Sequence, residues 1–267
     1  MSKGIAVAII ACLLPTARAA AADLREYCPD RPGLGTPSCT IDPGHLSIEL
    51  GLGDWTLDRS RSEREDRLLF GDVLLRYGIG AATEVQLGWS GFGRDHDRDR
   101  LTGFTDRHSG AGDMTVALRR NLRNPDGSGF SAAVMATASL PVGRRPIGAG
   151  DWGAGVSFPM SWEMNDRFSL EFVPEADAAV DEDGDGRHLA YGVVGGVEAK
   201  LGKAVTATAE YQLVRDRDPA GHATQRLAGL SLAWQPKDDL QFDIGANGGL
   251  NRHAPDVELY LGVARRF

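Results

Sequence analysis

Carboxylates and histidines are the residues of this 267-residue chain that could do acid–base chemistry. The densest combination is His96 among Asp95, Asp97 and Asp99. A charged, solvated loop explains this cluster without any chemistry. The glycines are scattered as strand and turn residues, and none forms a phosphate-binding loop. We therefore predict that the chain is not an enzyme. The other histidines fall mostly in predicted loops or at strand ends: His45, His108, His188, His222 and His253.

One acidic stretch resembles the first half of a calcium-binding loop. Asp181, Asp183 and Asp185 alternate before Gly186, but the twelfth position is Gly192, where a bidentate Glu should stand. Full calcium coordination is therefore not expected. A solvated turn is the favoured interpretation, with weak divalent-cation binding at an outer surface as the alternative. We predict no metal site and no cofactor.

The charge balance excludes one class of partner. The chain has 29 Lys and Arg against 37 Asp and Glu, a net charge of −8. No basic stripe is available to neutralise phosphates, so a nucleic-acid partner is not expected.

Residues 1–22 have the composition of a cleaved signal peptide. Lys3 precedes an apolar run from Ile5 to Leu14, and small residues follow up to Ala22. The run is shorter than the roughly 20 residues that span a bilayer, which disfavours a membrane anchor. A lipoprotein site at Cys12 is a second, weaker alternative.

Two cysteines remain after that cleavage, Cys28 and Cys39, within a segment rich in turn-forming residues. An oxidising periplasm favours a disulfide between them, while free or metal-bound thiols remain the alternative. We expect residues 23–44 to be a stapled periplasmic segment that precedes the main domain, residues 45–267.

From His45 to Phe267 the dominant pattern is an alternation of apolar and polar residues with period two, which predicts β-strands. Many strands reach ten residues, the length that a tilted strand needs to cross a bilayer. Short and long connections alternate, as the periplasmic turns and external loops of outer-membrane barrels do. The fold class is therefore all-β: a transmembrane, antiparallel, up-and-down barrel of about twelve strands. Nine predicted strands lie near 45–57, 67–78, 83–92, 111–122, 129–140, 152–163, 187–201, 223–235 and 256–267. Three more begin at Phe168, Val205 and Leu240.

Two further features accompany this pattern. The last strand ends at Phe267 and resembles the carboxyl-terminal signal that the barrel-assembly machinery recognises, although Arg265 stands at a usually apolar position. Residues 93–110 form the longest predicted external loop, which either folds inward as a constriction or faces lipopolysaccharide, the favoured option.

Several stretches resemble the phenol-degradation meta-pathway (MetA-pathway of phenol degradation) outer-membrane transporter family. They are residues 31–44 with Glu49 to Trp55, residues 110–113, residues 138–143 and residues 181–188. The resemblance covers nearly the whole mature chain and implies a transporter in the outer membrane of a Gram-negative cell. It implies a small solute, with aromatic or hydrophobic compounds among the candidates.

If the apolar face of each strand meets lipid, the opposite face lines a lumen. An excess of carboxylates there favours cations and neutral solutes, and a purely structural role in hydrogen-bond networks is the alternative. We predict a passive, porin-like channel. Its expected partners are membrane lipid, lipopolysaccharide and small solutes. An outer-membrane hydrolase or a non-conducting barrel is the alternative. The lumen candidates are Glu49, Asp72, Arg76, Glu84, Asp113, Arg119, Glu163, Glu171, Glu175, Asp177, Glu198, Lys200, Glu210, Asp243 and Glu258, with Arg266 as a further cation.

Overall fold

The computed structural model describes residues 24–267, and the expected signal peptide lies outside the described residues. The domain is one antiparallel sheet that closes on itself. No helix in residues 24–267 is long and apolar enough to cross a membrane. The strand segments are β1 (Leu46–Arg59), β2 (Glu63–Phe70), β3 (Asp72–Gly80), β4 (Thr83–Trp89), β5 (Phe92–Asp99), β6 (Thr105–Ala111), β7 (Met114–Arg123), β8 (Phe130–Leu140), β9 (Gly153–Ser157), β10 (Met160–Glu163), β11 (Phe168–Val180), β12 (Arg187–Lys200), β13 (Val205–Asp216), β14 (Ala223–Lys237), β15 (Leu240–Gly249) and β16 (Val257–Arg266).

These segments make twelve strands in the barrel wall, which confirms the predicted number. Four wall strands are interrupted, so that β2 continues into β3, β4 into β5, β6 into β7, and β9 into β10. The barrel closes where β1 pairs with β16, with Ser47 opposite Arg266. One interruption depends on glycine, because a Cβ at Gly91 would lie 2.3 Å from the carbonyl oxygen of Gly71.

The two faces of the wall have opposite polarity. Ile244 and Leu230 point outward and are 58% and 68% exposed. Glu49 and Arg119 point inward and are nearly inaccessible, at 1% and 0%. A soluble barrel places its apolar residues inside, whereas this barrel has an apolar outer surface and a polar interior, as a membrane-spanning barrel requires. The prediction that apolar side chains face outward is confirmed for the wall strands that alternate.

The prediction of a loop at residues 93–110 was wrong. β5 and β6 form a hairpin there, and β2 pairs with β5 to extend the sheet beyond the barrel. Cross-strand ion pairs hold it, such as Arg67 Nε donating to Asp95 Oδ1 at 2.8 Å. Because charged residues occupy both faces of β5, the sequence shows no apolar alternation and resembles a loop.

The connections at the two ends of the barrel differ in length, as predicted. At one end, turns such as residues 81–82 and 238–239 are short. At the other end, residues 141–152, 181–186 and 217–222 form longer loops. We refer to these as the short-turn end and the long-loop end.

Candidate functional site

Residues 24–44, which we call the plug, lie inside the barrel and not ahead of it. The plug has almost no regular secondary structure. The predicted disulfide is present and joins Cys28 to Cys39. We expected this segment outside the barrel because its turn-rich, polar sequence is typical of solvated chain. The lumen is equally polar, and it supplies hydrogen-bond partners that the sequence alone does not show.

Wall carboxylates accept hydrogen bonds from the plug backbone. The amides of Asp30 and Arg31 donate to Glu49 Oε2 at 2.9 and 3.1 Å. The amides of Leu34 and Gly35 donate to Glu210 Oε1 at 2.9 and 2.8 Å. These bonds satisfy main-chain donors that strands or helices satisfy elsewhere.

A third carboxylate, Glu84, accepts from the amide of Ile41 at 2.7 Å. Arg76 lies between Glu84 and Glu49, with distances of 2.9 and 3.1 Å to their oxygens. Arg76 also donates to the carbonyl oxygen of Cys28 at 2.8 Å. Buried charges are tolerated when they are paired and hydrogen-bonded, as these are.

Ion pairs connect plug and wall directly. Arg31 makes two hydrogen bonds to Asp243, at 3.2 and 3.1 Å. Arg119 contacts Asp30 at 2.6 Å and also hydrogen-bonds Thr36. Burial alone would raise the pKa of the Asp30 carboxyl, but the guanidinium groups of Arg119 and Arg76 hold that pKa below its usual range. Asp30 is therefore ionised at neutral pH, and the pair with Arg119 is intact.

At the short-turn end the plug has a small apolar contact of its own. Tyr27 and Ile41 pack with Ala264 of the last strand. The Tyr27 hydroxyl lies 2.7 Å from Ser47 Oγ. Arg266 donates to Asp42 at 3.0 Å. At this end, apolar packing and hydrogen bonds both hold the plug against the wall.

The plug leaves a cavity on each side of it. The cavity towards the short-turn end has a volume of about 220 Å³ and is lined by Glu163, Glu171, Glu198 and Lys200. The cavity towards the long-loop end has a volume of about 440 Å³. Its wall combines acidic, aromatic and aliphatic residues: Asp54, Asp72, Glu175, Glu258, Tyr260, Leu69, Leu74, Met135 and Val173. The plug therefore divides the lumen into two chambers.

The predicted lumen residues fall into three groups, and whether any of them binds a solute stays a prediction. Six contact the plug or one another behind it: Glu49, Arg76, Glu84, Arg119, Glu210 and Asp243. Seven line the chambers: Asp72, Glu163, Glu171, Glu175, Glu198, Lys200 and Glu258. Asp113 and Asp177 do neither: Asp113 accepts hydrogen bonds from Gly143 and Ala149 of an outer loop, and Asp177 lies opposite Gly155 in the wall.

The sequence did not identify the plug residues whose side chains pair with the wall, namely Asp30, Arg31 and Asp42. Their segment carries no periodicity that marks an inward face. One signal was available in the sequence: the predicted inward carboxylates outnumber the predicted inward cations. Buried carboxylates need hydrogen-bond donors, so the excess requires donors from elsewhere in the chain.

The cluster around His96 does not assemble into an acid–base site. His96 lies on β5 between Asp95 and Asp97, whose side chains point to the opposite face of the strand. Asp95 is instead paired with Arg67. The calcium-like stretch does not converge either, because Asp183 accepts a hydrogen bond from the amide of Asp185 at 2.9 Å within its own turn.

An apolar exterior, a polar lumen and a closed ring of twelve antiparallel strands together define a transmembrane β-barrel of the outer-membrane type. The chain belongs to the family described as "Putative MetA-pathway of phenol degradation", whose model matches residues 29–267. This confirms the resemblance found in the sequence.

Solved structures share the fold at low sequence identity. The NanC porin is 10% identical with a TM-score of 0.52, covering 82% of this chain and 98% of its own. The KdgM porin is 10% identical with a TM-score of 0.51, covering 83% and 99%. The translocator domain of the autotransporter NalP from Neisseria meningitidis is 11% identical with a TM-score of 0.50, covering 84% and 88%. No curated protein sequence matches the chain.

Proposed function

We propose that this chain spans the outer membrane of a Gram-negative cell and acts as a passive channel for small solutes, with the plug as its gate. The observation that carries the proposal is the position of the plug between two chambers of about 220 and 440 Å³. A solute that crosses the barrel must pass the plug, so movement of the plug controls passage.

The way in which the plug is held supports a movable gate. Its middle, residues 30–38, contacts the wall through hydrogen bonds and ion pairs, such as Arg31 to Asp243 and the Leu34 amide to Glu210. Such polar contacts exchange with water at a small net cost, about 1.5–3 kcal/mol for each bond to a charged group. The apolar contact of Tyr27 and Ile41 lies at the short-turn end. We infer that the middle of the plug yields first while this end stays anchored.

The chambers favour particular solutes. Asp72, Glu175 and Glu258 line the larger chamber without a direct ion pair to Lys or Arg among the described residues. Unpaired carboxylates attract cations and repel anions. Tyr260 and Leu74 add apolar surface to the same chamber. Neutral aromatic or hydrophobic compounds, which the family description supports, and organic cations are therefore the expected solutes.

The remaining assignments are proposals of the same kind. Residues 1–22 direct export and are removed, and Phe267 contributes to recognition by the barrel-assembly machinery. Lipid contacts the apolar band, and lipopolysaccharide contacts the extended β5–β6 hairpin. The porin-like fold supports transport rather than catalysis.

Planar-bilayer recordings of the refolded protein test the channel directly. Ser38 Oγ of the plug lies 2.8 Å from Ser161 Oγ of the wall. The double substitution S38C with S161C should therefore cross-link plug to wall, and peptide mapping would confirm that the Cys28–Cys39 bond is retained. We expect cation-selective current steps from the natural sequence and from S38C alone, and far fewer from the cross-linked protein.

Three results would each contradict a part of the proposal. Bilayers that stay closed with the natural sequence at every voltage would indicate a non-conducting structural barrel. Equal current from the cross-linked and natural proteins would show that solutes do not pass the plug. Clear anion selectivity would overturn the preference assigned to the chamber carboxylates.

A further inference from the structure

A cluster of possible metal ligands lies at the long-loop end, far from the plug. Asp181 begins the loop after β11, His188 is the second residue of β12, and Asp218 lies in the loop after β13. His188 Nδ1 is 2.9 Å from Asp181 Oδ1 and 3.4 Å from Asp218 Oδ2. The ligand atoms of the three residues all lie within 4.8 Å of one another.

The imidazole is almost enclosed, with a side-chain exposure of 5%. Its second nitrogen, Nε2, lies 2.9 Å from Asp216 Oδ1 but makes no well-aligned hydrogen bond. Three carboxylates thus surround one buried imidazole. Among residues 24–267, none of these carboxylates forms an ion pair with Lys or Arg. The cluster carries an excess of negative charge that a further cation would neutralise.

We propose that Asp181, His188 and Asp218 form a binding site for a divalent transition metal ion of the zinc class. Zinc bound to imidazole nitrogen and carboxylate oxygen has bonds of about 2.0–2.2 Å, which in a tetrahedron separates neighbouring ligand atoms by roughly 3.3–3.6 Å. The present separations of 2.9 and 3.4 Å need little adjustment to reach that geometry. Three protein ligands leave the fourth position to water.

The surroundings supply the outer contacts that such a site uses. A metal-bound histidine commonly donates its other N–H to a carboxylate, which fixes the ring. Asp216 stands at that position against Nε2. The Asp218 carboxylate is oriented by the amides of Ala220 and Glu182, each at 2.7 Å. The Asp218 amide in turn donates to Asp216 Oδ1 at 2.8 Å, so both carboxylates are held in place before any ion binds.

The donor set distinguishes this site from the calcium loop that the sequence resembles. Calcium prefers six to eight oxygen ligands, and an imidazole nitrogen is a poor ligand for it. Asp183 and Asp185 take no part in the cluster. Since Asp181 and Asp218 belong to different loops, a bound ion would join the two loops at the mouth of the barrel.

Zinc binding to the refolded full chain tests the site, and it does so without reference to conduction. Isothermal titration with zinc chloride, checked by metal analysis after dialysis, should give one ion per chain. We expect H188A to lower the affinity at least 100-fold and D216N, which changes an outer contact, to lower it 10- to 100-fold. H222A is the matched control, because His222 is exposed and lies in the loop after β13 but outside the cluster.

The folded state of each variant is checked by its electrophoretic mobility before and after heating. Cobalt in place of zinc should give visible ligand-field absorption that is lost in H188A. Unchanged zinc affinity in folded H188A would overturn the proposal. Calcium binding that is tighter than zinc binding and unaffected by H188A would also overturn it, because the ion would then be bound by the aspartates of the turn.

Discussion

The substitution Asp243→Asn removes one attachment of the plug while leaving the wall strand intact. Asp243 lies on β15 with its side chain fully buried, and Arg31 donates two hydrogen bonds to it at 3.2 and 3.1 Å. Asparagine keeps one acceptor oxygen but loses the negative charge. The loss is on the order of one hydrogen bond to a charged group, about 1.5–3 kcal/mol.

That free energy biases the closed position of the plug against the open one. Since about 1.4 kcal/mol corresponds to a factor of ten, we expect the open-to-closed ratio in single-channel records to rise about 10- to 150-fold. Open-state conductance should change little, because the plug and the wall keep their volumes. The matched control is Asp239→Asn, which alters an exposed pair with Arg265 at 3.6 Å, outside the lumen.

The result that would refute this reasoning is an Asp243→Asn protein whose open-to-closed ratio equals that of the natural protein and of the Asp239→Asn control. The pair between Arg31 and Asp243 would then not hold the gate. A rise of the same size in both variants would point to a general loosening of the barrel.

Two other perturbations have defined outcomes. Replacing both Cys28 and Cys39 by serine should leave the barrel folded but make the plug more accessible to proteases. The reason is that a disulfide closing a loop of this length contributes about 3 kcal/mol by restricting the unfolded chain. Equal digestion of the natural and the substituted protein would contradict this. Ile244→Arg, at an outward position 58% exposed, should lower the free energy of unfolding in lipid by about 2–4 kcal/mol. Leu101→Arg, at the tip of the outer hairpin and 80% exposed, should have almost no effect in the same urea titration, and equal losses would argue against lipid at Ile244.

The barrel could be predicted because its pattern is local. From Leu240 to Asn247, β15 alternates apolar residues with polar residues or glycine, and such alternation is visible without any knowledge of neighbours. β5 escaped prediction for the opposite reason. Its side chains form ion pairs with another strand, as between Asp95 and Arg67, and the β5 segment alone does not show them.

The candidate site was predictable only in part. Parity along each strand identifies inward residues such as Glu49 and Glu210, and the disulfide follows from two cysteines in one short segment. What those residues contact depends on the plug, whose path through the lumen is set by hydrogen bonds between distant parts of the chain. The cluster of His188 and Asp218 is hidden in the same way, because the register of β12 on β13, with Ala190 opposite Asp216, brings it together.

The location of the plug constrains the order of assembly. It directly precedes β1, and β1 completes the ring by pairing with β16. Its partners Glu210 and Asp243 also belong to late strands. The contacts of the plug therefore form only after these strands have been made, and the sheet must close around the plug, or admit it, before β1 pairs with β16.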